Sequence, residues 1–244
     1  MNGLSLYNIY YIIDFLDDDV ATRFKLMINL DYKNLKLNEK LSLRYFKDIK
    51  FQNYINSNFS KIELDLSEDT IFYLIKSIFN YSCEINNKFK NIYKIDLSHK
   101  NIKDASSLKG ICELNLIACL MDFDTLNVST IRKLNLSHIK IEDVSRLKGI
   151  YDLNLSQCKK IINFETLGDH YKLNLSNTNI KDVSNLKGIR ELSLAYCTQI
   201  TNFEKLDVSE IYKLNLTNTN IKDISHLYKI YDLNLNTCKN INFD

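Results

Sequence analysis

The sequence predicts an α/β fold in which short parallel strands and return turns stack into a solenoid, preceded by a small α-helical segment. Two observations support this prediction. A short apolar phrase, "LNLS" and its relatives, recurs about every 20 residues from residue 95 onward, and residues 4–60 lack it. A period this short does not accommodate a pair of helices, whereas one strand with one return turn fits it.

The repeated unit carries two apolar residues separated by one polar residue, as in a strand with one buried face. The eight pairs are Ile95/Leu97, Leu114/Leu116, Leu134/Leu136, Leu153/Leu155, Leu173/Leu175, Leu192/Leu194, Leu214/Leu216 and Leu233/Leu235. A further apolar residue is expected three positions before each pair, as Ile150 is before Leu153. Because no rung buries its leucines alone, residues 92–244 are predicted to form eight stacked repeats of about 19–22 residues.

Residues 61–91 are predicted to form an irregular first repeat. Ile62, Leu64 and Leu66 supply the apolar positions of one additional rung. The apolar stretch over residues 71–79 is then expected to be a helix that caps the core.

The full unit, L-x-x-L-x-L-x-x-(C or T)-x-(x)-I, resembles the leucine-rich-repeat consensus. Two versions of it alternate. The version in Leu175–Leu186 resembles the short repeats of internalins and of phosphatase-associated leucine-rich proteins, and the version in Leu153–Ile161 resembles the cysteine-containing repeats of F-box proteins. The resemblance implies a leucine-rich-repeat solenoid that acts as a scaffold for binding other proteins.

Residues 4–60 are predicted to be helical. Ile9, Ile12, Ile13 and Leu16 follow the i, i+3, i+4, i+7 spacing of one apolar helix face. The run from Leu4 to Phe24 resembles an F-box, although Ser5 and Tyr7 stand where that family commonly has proline and glutamate.

The F-box resemblance implies a partner and a function. The residues that fit the F-box pattern, and that would contact a Skp1-like adaptor, are Leu4, Ile12, Ile13, Phe15 and Leu16. The chain would then be the substrate-recognition subunit of an SCF-type ubiquitin ligase, with the repeats binding the substrate. In the alternative interpretation the helices only cap the first rung, and the solenoid is a free-standing scaffold unconnected to ubiquitin.

Composition excludes several functional classes. The 32 basic and 30 acidic residues nearly balance, so no overall field favours nucleic acid or an anionic membrane. The N-terminus has neither a basic segment nor a cleavage site typical of a signal peptide, which predicts a cytoplasmic protein. No nucleophile–base pair, glycine-rich phosphate loop or metal-ligand spacing is present, so we expect no enzymatic activity and no cofactor.

Four cysteines recur at one position of alternate repeats. Cys119, Cys158, Cys197 and Cys238 are 39, 39 and 41 residues apart. Neighbouring members therefore lie two rungs, or about 9 to 10 Å, apart, which is too far for a disulfide. They are predicted to be buried thiols whose S–H groups contact the backbone of the turns. The same spacing excludes His99 and His138 as a zinc pair.

Three other regular rows of polar residues are predicted to be architectural. The residues just before the apolar pairs alternate in charge, which predicts ion pairs between adjacent rungs. They are Lys94, Glu113, Lys133, Asp152, Lys172, Glu191, Lys213 and Asp232. Asparagines within most pairs are expected to hydrogen-bond along the stack. Asp104, Asp143, Asp182 and Asp223 are assigned to caps of the return turns.

One row remains as a candidate contact surface. The positions two before each pair read Tyr93, Cys112, Arg132, Tyr151, Tyr171, Arg190, Tyr212 and Tyr231. Tyrosine and arginine are enriched at protein-binding hot spots, and an arginine beside a tyrosine can stack over its ring. With His138 and Tyr196 at the opposite strand edge, this row is predicted to bind a protein partner. The alternative is a stacked lip of the solenoid without a ligand. Self-association through the last, uncapped rung is also predicted.

Overall fold

The computed structural model describes residues 34–37, 49–58, 61–65, 92–102, 105–108 and 110–242. They form an α/β solenoid whose main element is one parallel sheet of ten strands. In chain order the strands are β1 Asn34–Leu37, β2 Lys61–Asp65, β3 Ile92–Asp96, β5 Glu113–Asn115, β7 Lys133–Asn135, β8 Asp152–Asn154, β9 Lys172–Asn174, β10 Glu191–Ser193, β11 Lys213–Asn215 and β12 Asp232–Asn234. Two short strands, β4 Asn101–Ile102 and β6 Leu120–Met121, pair separately. The predicted parallel stacking of repeats is confirmed.

Helical structure in the described ranges is limited. Helix α1 covers Ile49–Asn58 and precedes β2. Short 3-10 helices form in the return segments, at Ser106–Leu108, Phe123–Thr125, Ser145–Leu147, Phe164–Thr166, Phe203–Lys205 and Ser225–Leu227. None of the helices in these ranges is both long enough and apolar enough to cross a membrane.

Equivalent residues of successive repeats lie side by side in the sheet. Leu134, Leu153 and Leu173 pair in register across β7, β8 and β9, and Leu192 and Leu214 continue the row. The leucines of these pairs are between 0% and 2% exposed. Burial of each leucine against its counterparts above and below is the main stabilisation of such a stack.

The first strand differs from the prediction. Residues 4–60 were expected to be helical, but Asn34–Leu37 forms β1 and pairs in parallel with β2, Leu37 opposite Leu64. The local sequence NLKL alternates polar and apolar residues, and pairing with β2 satisfies the backbone groups on one side of the strand. The additional rung predicted at Ile62 is confirmed, because β2 pairs with β3. The helix predicted over residues 71–79 lies outside the described residues.

A left-handed turn residue follows the strand of each of the eight repeats. At this position φ lies between 52° and 65°, although none of the residues is glycine: His99, Ala118, His138, Gln157, Asn177, Tyr196, Asn218 and Thr237. Its N–H donates to a carbonyl of the next rung, as His138 does to Ser156 at 3.0 Å and Tyr196 to Thr217 at 2.8 Å. These bonds between rungs offset the steric cost of the left-handed conformation.

One core position departs from the repeat. The apolar residue expected three before each pair is isoleucine in seven repeats, but His170 stands there before Leu173. His170 is fully buried, and its Nδ1 lies 2.6 Å from the carbonyl oxygen of Ile150. Its Nε2 has no hydrogen-bond partner among the described residues. Burial lowers the pKa of the imidazole, so the neutral form is favoured.

The last rung is less covered than the others. Leu233 and Leu235 are half-buried, whereas Leu214 and Leu216 of the preceding rung have no exposed surface. Self-association through this rung stays a prediction.

Candidate interaction surface

The cysteine row is part of the interior. The Sγ atoms of Cys119, Cys158, Cys197 and Cys238 donate to the carbonyl oxygens of Leu97, Leu136, Leu175 and Leu216, at 2.8, 3.1, 3.0 and 3.0 Å. Each acceptor belongs to the preceding rung. Burial raises the pKa of Cys119 and of Cys158 to about 11, so both thiols are neutral near pH 7. The prediction that these thiols bind the turn backbone is confirmed.

Threonine takes the place of the cysteine in two of the intervening repeats, at Thr178 and Thr219. The Oγ1 of Thr178 donates to the carbonyl oxygen of Leu175 at 2.8 Å, and that same oxygen accepts the thiol of Cys197. Thr219 and Cys238 share the carbonyl oxygen of Leu216 in the same way. Each of these oxygens also accepts the backbone N–H of its threonine, at 3.2 Å for Thr178 and 3.1 Å for Thr219, so donors from two adjacent rungs share it.

The alternating charges form ion pairs between neighbouring strands. Lys133 and Asp152 are 3.3 Å apart, Lys172 and Glu191 3.4 Å, and Lys213 and Asp232 2.6 Å. The hydrogen bond with Asp232 and its negative charge raise the pKa of Lys213. The predicted charge pairing is confirmed for these three pairs, which use the side chains of six consecutive rungs.

The asparagine row makes a different hydrogen bond from the one predicted. The Oδ1 atoms accept from the backbone N–H two residues later, as Asn154 does from Ser156 at 3.0 Å and Asn174 from Ser176 at 2.9 Å. The amide therefore holds the start of the left-handed turn in its own rung. A bond between rungs within this row is made by Asn115, whose Nδ2 donates to Asp96 at 2.8 Å.

The recurring aspartates are turn caps, as predicted. The carboxylates of Asp143, Asp182 and Asp223 each accept the backbone N–H of the serine two residues later at 2.8 Å. These hydrogen bonds lower the pKa of all three carboxyl groups, that of Asp182 to about 2. Asn202 also donates to Asp182 at 2.7 Å, which links adjacent repeats. Asp104 lies outside the described residues.

The row of tyrosines and arginines, named here the tyrosine–arginine stripe, is exposed over most of its length. Its members are Tyr93, Arg132, Tyr151, Tyr171, Arg190, Tyr212 and Tyr231. Tyr151 is 55% exposed and Tyr231 78%, and both arginines are exposed, whereas Tyr93 is half-buried. Exposed large apolar groups gathered in one line are typical of binding surfaces.

The stripe is ordered by stacking between its own members. The rings of Tyr151 and Tyr171 are 4.5 Å apart and 9° from parallel, and those of Tyr212 and Tyr231 are 4.7 Å apart at 14°. The guanidinium group of Arg190 lies over the ring of Tyr212 at 5.3 Å. The predicted arginine–tyrosine stacking occurs at this one described pair. Sequence reasoning missed the tyrosine pairs, although adjacent repeats with tyrosine at the same position signal them.

The opposite edge of the strands carries the two other predicted residues. His138 and Tyr196 are exposed and occupy the left-handed position of the β7 and β10 rungs, the same rungs that carry Arg132 and Arg190. Between them, the Nδ2 of Asn177 donates to the Oε1 of Gln157 at 2.7 Å. The structure thus places His138 and Tyr196 on these rungs, but separated from the stripe by the length of the strand.

The side chains of the stripe are suited to noncovalent binding of a partner. Partial desolvation, followed by the neighbouring Tyr171 and nearby carboxylates, raises the pKa of Tyr151, so its phenol is neutral near pH 7. The stripe therefore combines ring edges, hydroxyl groups and two cations. Within the described ranges, no three His, Cys, Asp or Glu side chains lie close enough together to hold a metal ion.

Fold and surface together define a repeat solenoid with an exposed aromatic and cationic stripe. No protein-family model matches the chain. No curated protein matches it significantly. The five residues predicted to contact an adaptor, Leu4, Ile12, Ile13, Phe15 and Leu16, lie outside the described residues.

Proposed function

We propose that the protein is a non-enzymatic leucine-rich-repeat scaffold that binds a protein partner through the tyrosine–arginine stripe. The observation that carries the proposal is a contrast in hydrogen bonding. The cysteine, aspartate and asparagine rows bond to the backbone of the solenoid, whereas the rings and guanidinium groups of the stripe are exposed and contact mainly one another. Tyrosine and arginine supply large contact areas, and their stacking lowers the entropy lost on binding.

A matched pair of variants tests this proposal. Arg190→Ala with Tyr212→Ala removes a cation and a ring 5.3 Å apart on the stripe, and Lys229→Ala with Tyr228→Ala removes the same kinds of group, 5.4 Å apart, from a return segment. Tyr228 is 78% exposed, so its loss costs little stability. Partners that co-purify with the tagged intact chain are quantified by mass spectrometry for all three forms, after thermal melting shows them equally folded.

We expect the amount of partner that co-purifies with the stripe variant to fall at least about tenfold, because the removed residues are of the types that form binding hot spots. The return-segment variant should retain partner binding. Equal retention by both variants would show that the stripe is only a stacked lip of the solenoid.

A second proposal concerns the N-terminal region. The F-box-like pattern from Leu4 to Phe24 and the cysteine-containing repeats support a role as the substrate-recognition subunit of an SCF-type ubiquitin ligase. The stripe would then bind the substrate and the N-terminal segment a Skp1-like adaptor. The competing proposal is a free-standing scaffold without an adaptor.

Binding of a purified Skp1-like adaptor distinguishes these two proposals. The intact chain is compared with a variant carrying Ile12→Asp and Leu16→Asp, and circular dichroism checks that the repeats of both are folded. Binding by the intact chain and loss in the variant would support the ubiquitin-ligase role. If the intact chain binds no adaptor, the free-standing scaffold is the better proposal.

A further inference from the structure

The chemistry of the partner can be inferred from the charges along the stripe. The lysines beside the stripe are already neutralised, because Lys133, Lys172 and Lys213 each pair with a carboxylate of the next strand. A partner therefore meets little net charge along that row. Such a surface does not suit a nucleic-acid backbone, which requires many unpaired cations.

The two arginines of the stripe are the exception. Arg132 and Arg190 are both exposed, and neither takes part in an ion pair with a described residue. Arg190 is held over the ring of Tyr212, which leaves guanidinium N–H groups available to an acceptor. A guanidinium group can bind a carboxylate through two parallel hydrogen bonds.

The spacing of the two arginines is set by the sheet. They precede β7 and β10, which are three rungs apart in the strand order, a separation of about 14 Å at about 4.8 Å per rung. The stacked pair Tyr151–Tyr171 occupies the two rungs between them. An extended peptide advances about 3.3 Å per residue, so carboxylates about four residues apart would reach both arginines.

We infer that the partner of the stripe is an extended acidic peptide segment, with two carboxylates about four residues apart bound to Arg132 and Arg190. Apolar side chains between these carboxylates lie on the edges of Tyr151 and Tyr171. The inference rests on the proposed function and deepens it, because it names the class of ligand. Charge complementarity with the unpaired arginines is the observation that supports an acidic ligand.

Selection from a library of random twelve-residue linear peptides tests the inference. The library is displayed on phage and selected on the immobilised intact chain, in buffer of low ionic strength. We expect enrichment of Asp or Glu at two positions about four residues apart, with apolar residues between them. The best selected peptide is then synthesised with a fluorescent label, and its affinity is measured by anisotropy.

Three single variants locate the peptide. Arg132→Gln and Arg190→Gln should each weaken binding at least about tenfold, since each removes a charge-assisted hydrogen bond. Lys229→Gln removes an exposed cation from a return segment and should leave the affinity unchanged. A rise in salt from about 50 to 300 mM should weaken the wild type more than either arginine variant.

The outcomes separate this inference from the proposed function. Selected peptides without an acidic pair, whose binding still depends on Tyr212 and Arg190 together, would overturn the acidic-peptide inference and leave the stripe as the binding surface. Unchanged affinity in both arginine-to-glutamine variants would also overturn it. If both the stripe variant and the return-segment variant keep their partner in the co-purification experiment, the proposed function itself is overturned.

Discussion

The cysteine row and the tyrosine–arginine stripe recur with similar regularity, but the solenoid satisfies one and leaves the other exposed. Cys158 and Cys197 are fully buried, and each donates to a leucine carbonyl. Tyr151 and Tyr231 are more than half exposed, and in the described part of the chain each stacks on a tyrosine of the same row. Regular recurrence in a repeat protein therefore does not by itself indicate a binding site. A binding site is indicated by recurring side chains that stay exposed because the neighbouring repeats do not bury or hydrogen-bond them.

The physical cause is the translational symmetry of a solenoid. A residue repeated at one position meets its own kind, or its partner, in the next rung, so any such row acquires neighbours. For the thiols these neighbours include a carbonyl at hydrogen-bond distance. For the tyrosines the described neighbours are another ring or, at Tyr212, also the Arg190 guanidinium group, which cover ring faces and leave the ring edges to solvent or a partner.

Thiol reactivity gives the largest difference between buried and exposed positions. Cys158 and Cys197 should react with iodoacetamide about 1,000-fold or more slowly than the half-exposed Cys112, because reaction requires opening of the core. The raised pKa of Cys158 slows it further, since only the thiolate attacks. Alkylation followed by mass spectrometry of each peptide measures the rates. Unfolded in denaturant, all three should react alike; similar rates in the folded protein would contradict the burial of the row.

Stability should distinguish the two rows next. Cys158→Ala removes a buried group and leaves the Leu136 carbonyl with the Ile139 N–H at 3.2 Å but without the thiol, and it should cost about 2 kcal/mol. Tyr151→Ala removes one half of an exposed stack and should cost about 1 kcal/mol or less. Urea unfolding monitored by circular dichroism compares the free energies of unfolding. A larger cost at Tyr151 would mean that the stripe is chiefly structural.

The smallest expected effect is on the pH dependence of stability and concerns His170. This residue is buried like the cysteines, but its Nε2 has no hydrogen-bond partner among the described residues. Its pKa is lowered in the folded state, so below about pH 6.5 the unfolded chain binds a proton first. The free energy of unfolding should therefore decrease as the pH falls from 7.5 to 5.5. His170→Ile, which restores the isoleucine of the other repeats, should make this decrease smaller. The carboxyl groups titrate in both proteins and cancel in the difference, so identical slopes would refute the role of His170.

Much of the fold could be predicted because each repeat provides the same signal. The apolar pairs, the parallel register, the rung at Ile62 and the ion pairs such as Lys133 with Asp152 all follow from spacing alone. Strand β1 could not be predicted, since its four residues alternate too briefly to outweigh the helical prediction made for residues 4–60 as a whole. The buried histidine was also missed, because the pattern of the other repeats led us to expect an apolar residue there.

The candidate site was predicted only as a list of residues. Sequence placed Tyr151, Tyr171, Arg190 and Tyr212 in one row, but it did not show which of them stack. The structure pairs tyrosine with tyrosine and turns Arg190 towards Tyr212. Side-chain direction depends on the local turn and on both neighbouring rungs, which no single repeat encodes.

The sequence by itself determined the period, the register and the identity of each row, because a solenoid converts spacing along the chain directly into neighbours in space. Tertiary structure alone decided which rows are satisfied. The thiols of the cysteine row reach a carbonyl of the preceding rung, the asparagines bond within their own turns, and Arg132 and Arg190 find no carboxylate among the described residues. Hydrogen bonds and ion pairs depend on distances of a few tenths of an ångström, and only the packed chain sets those distances.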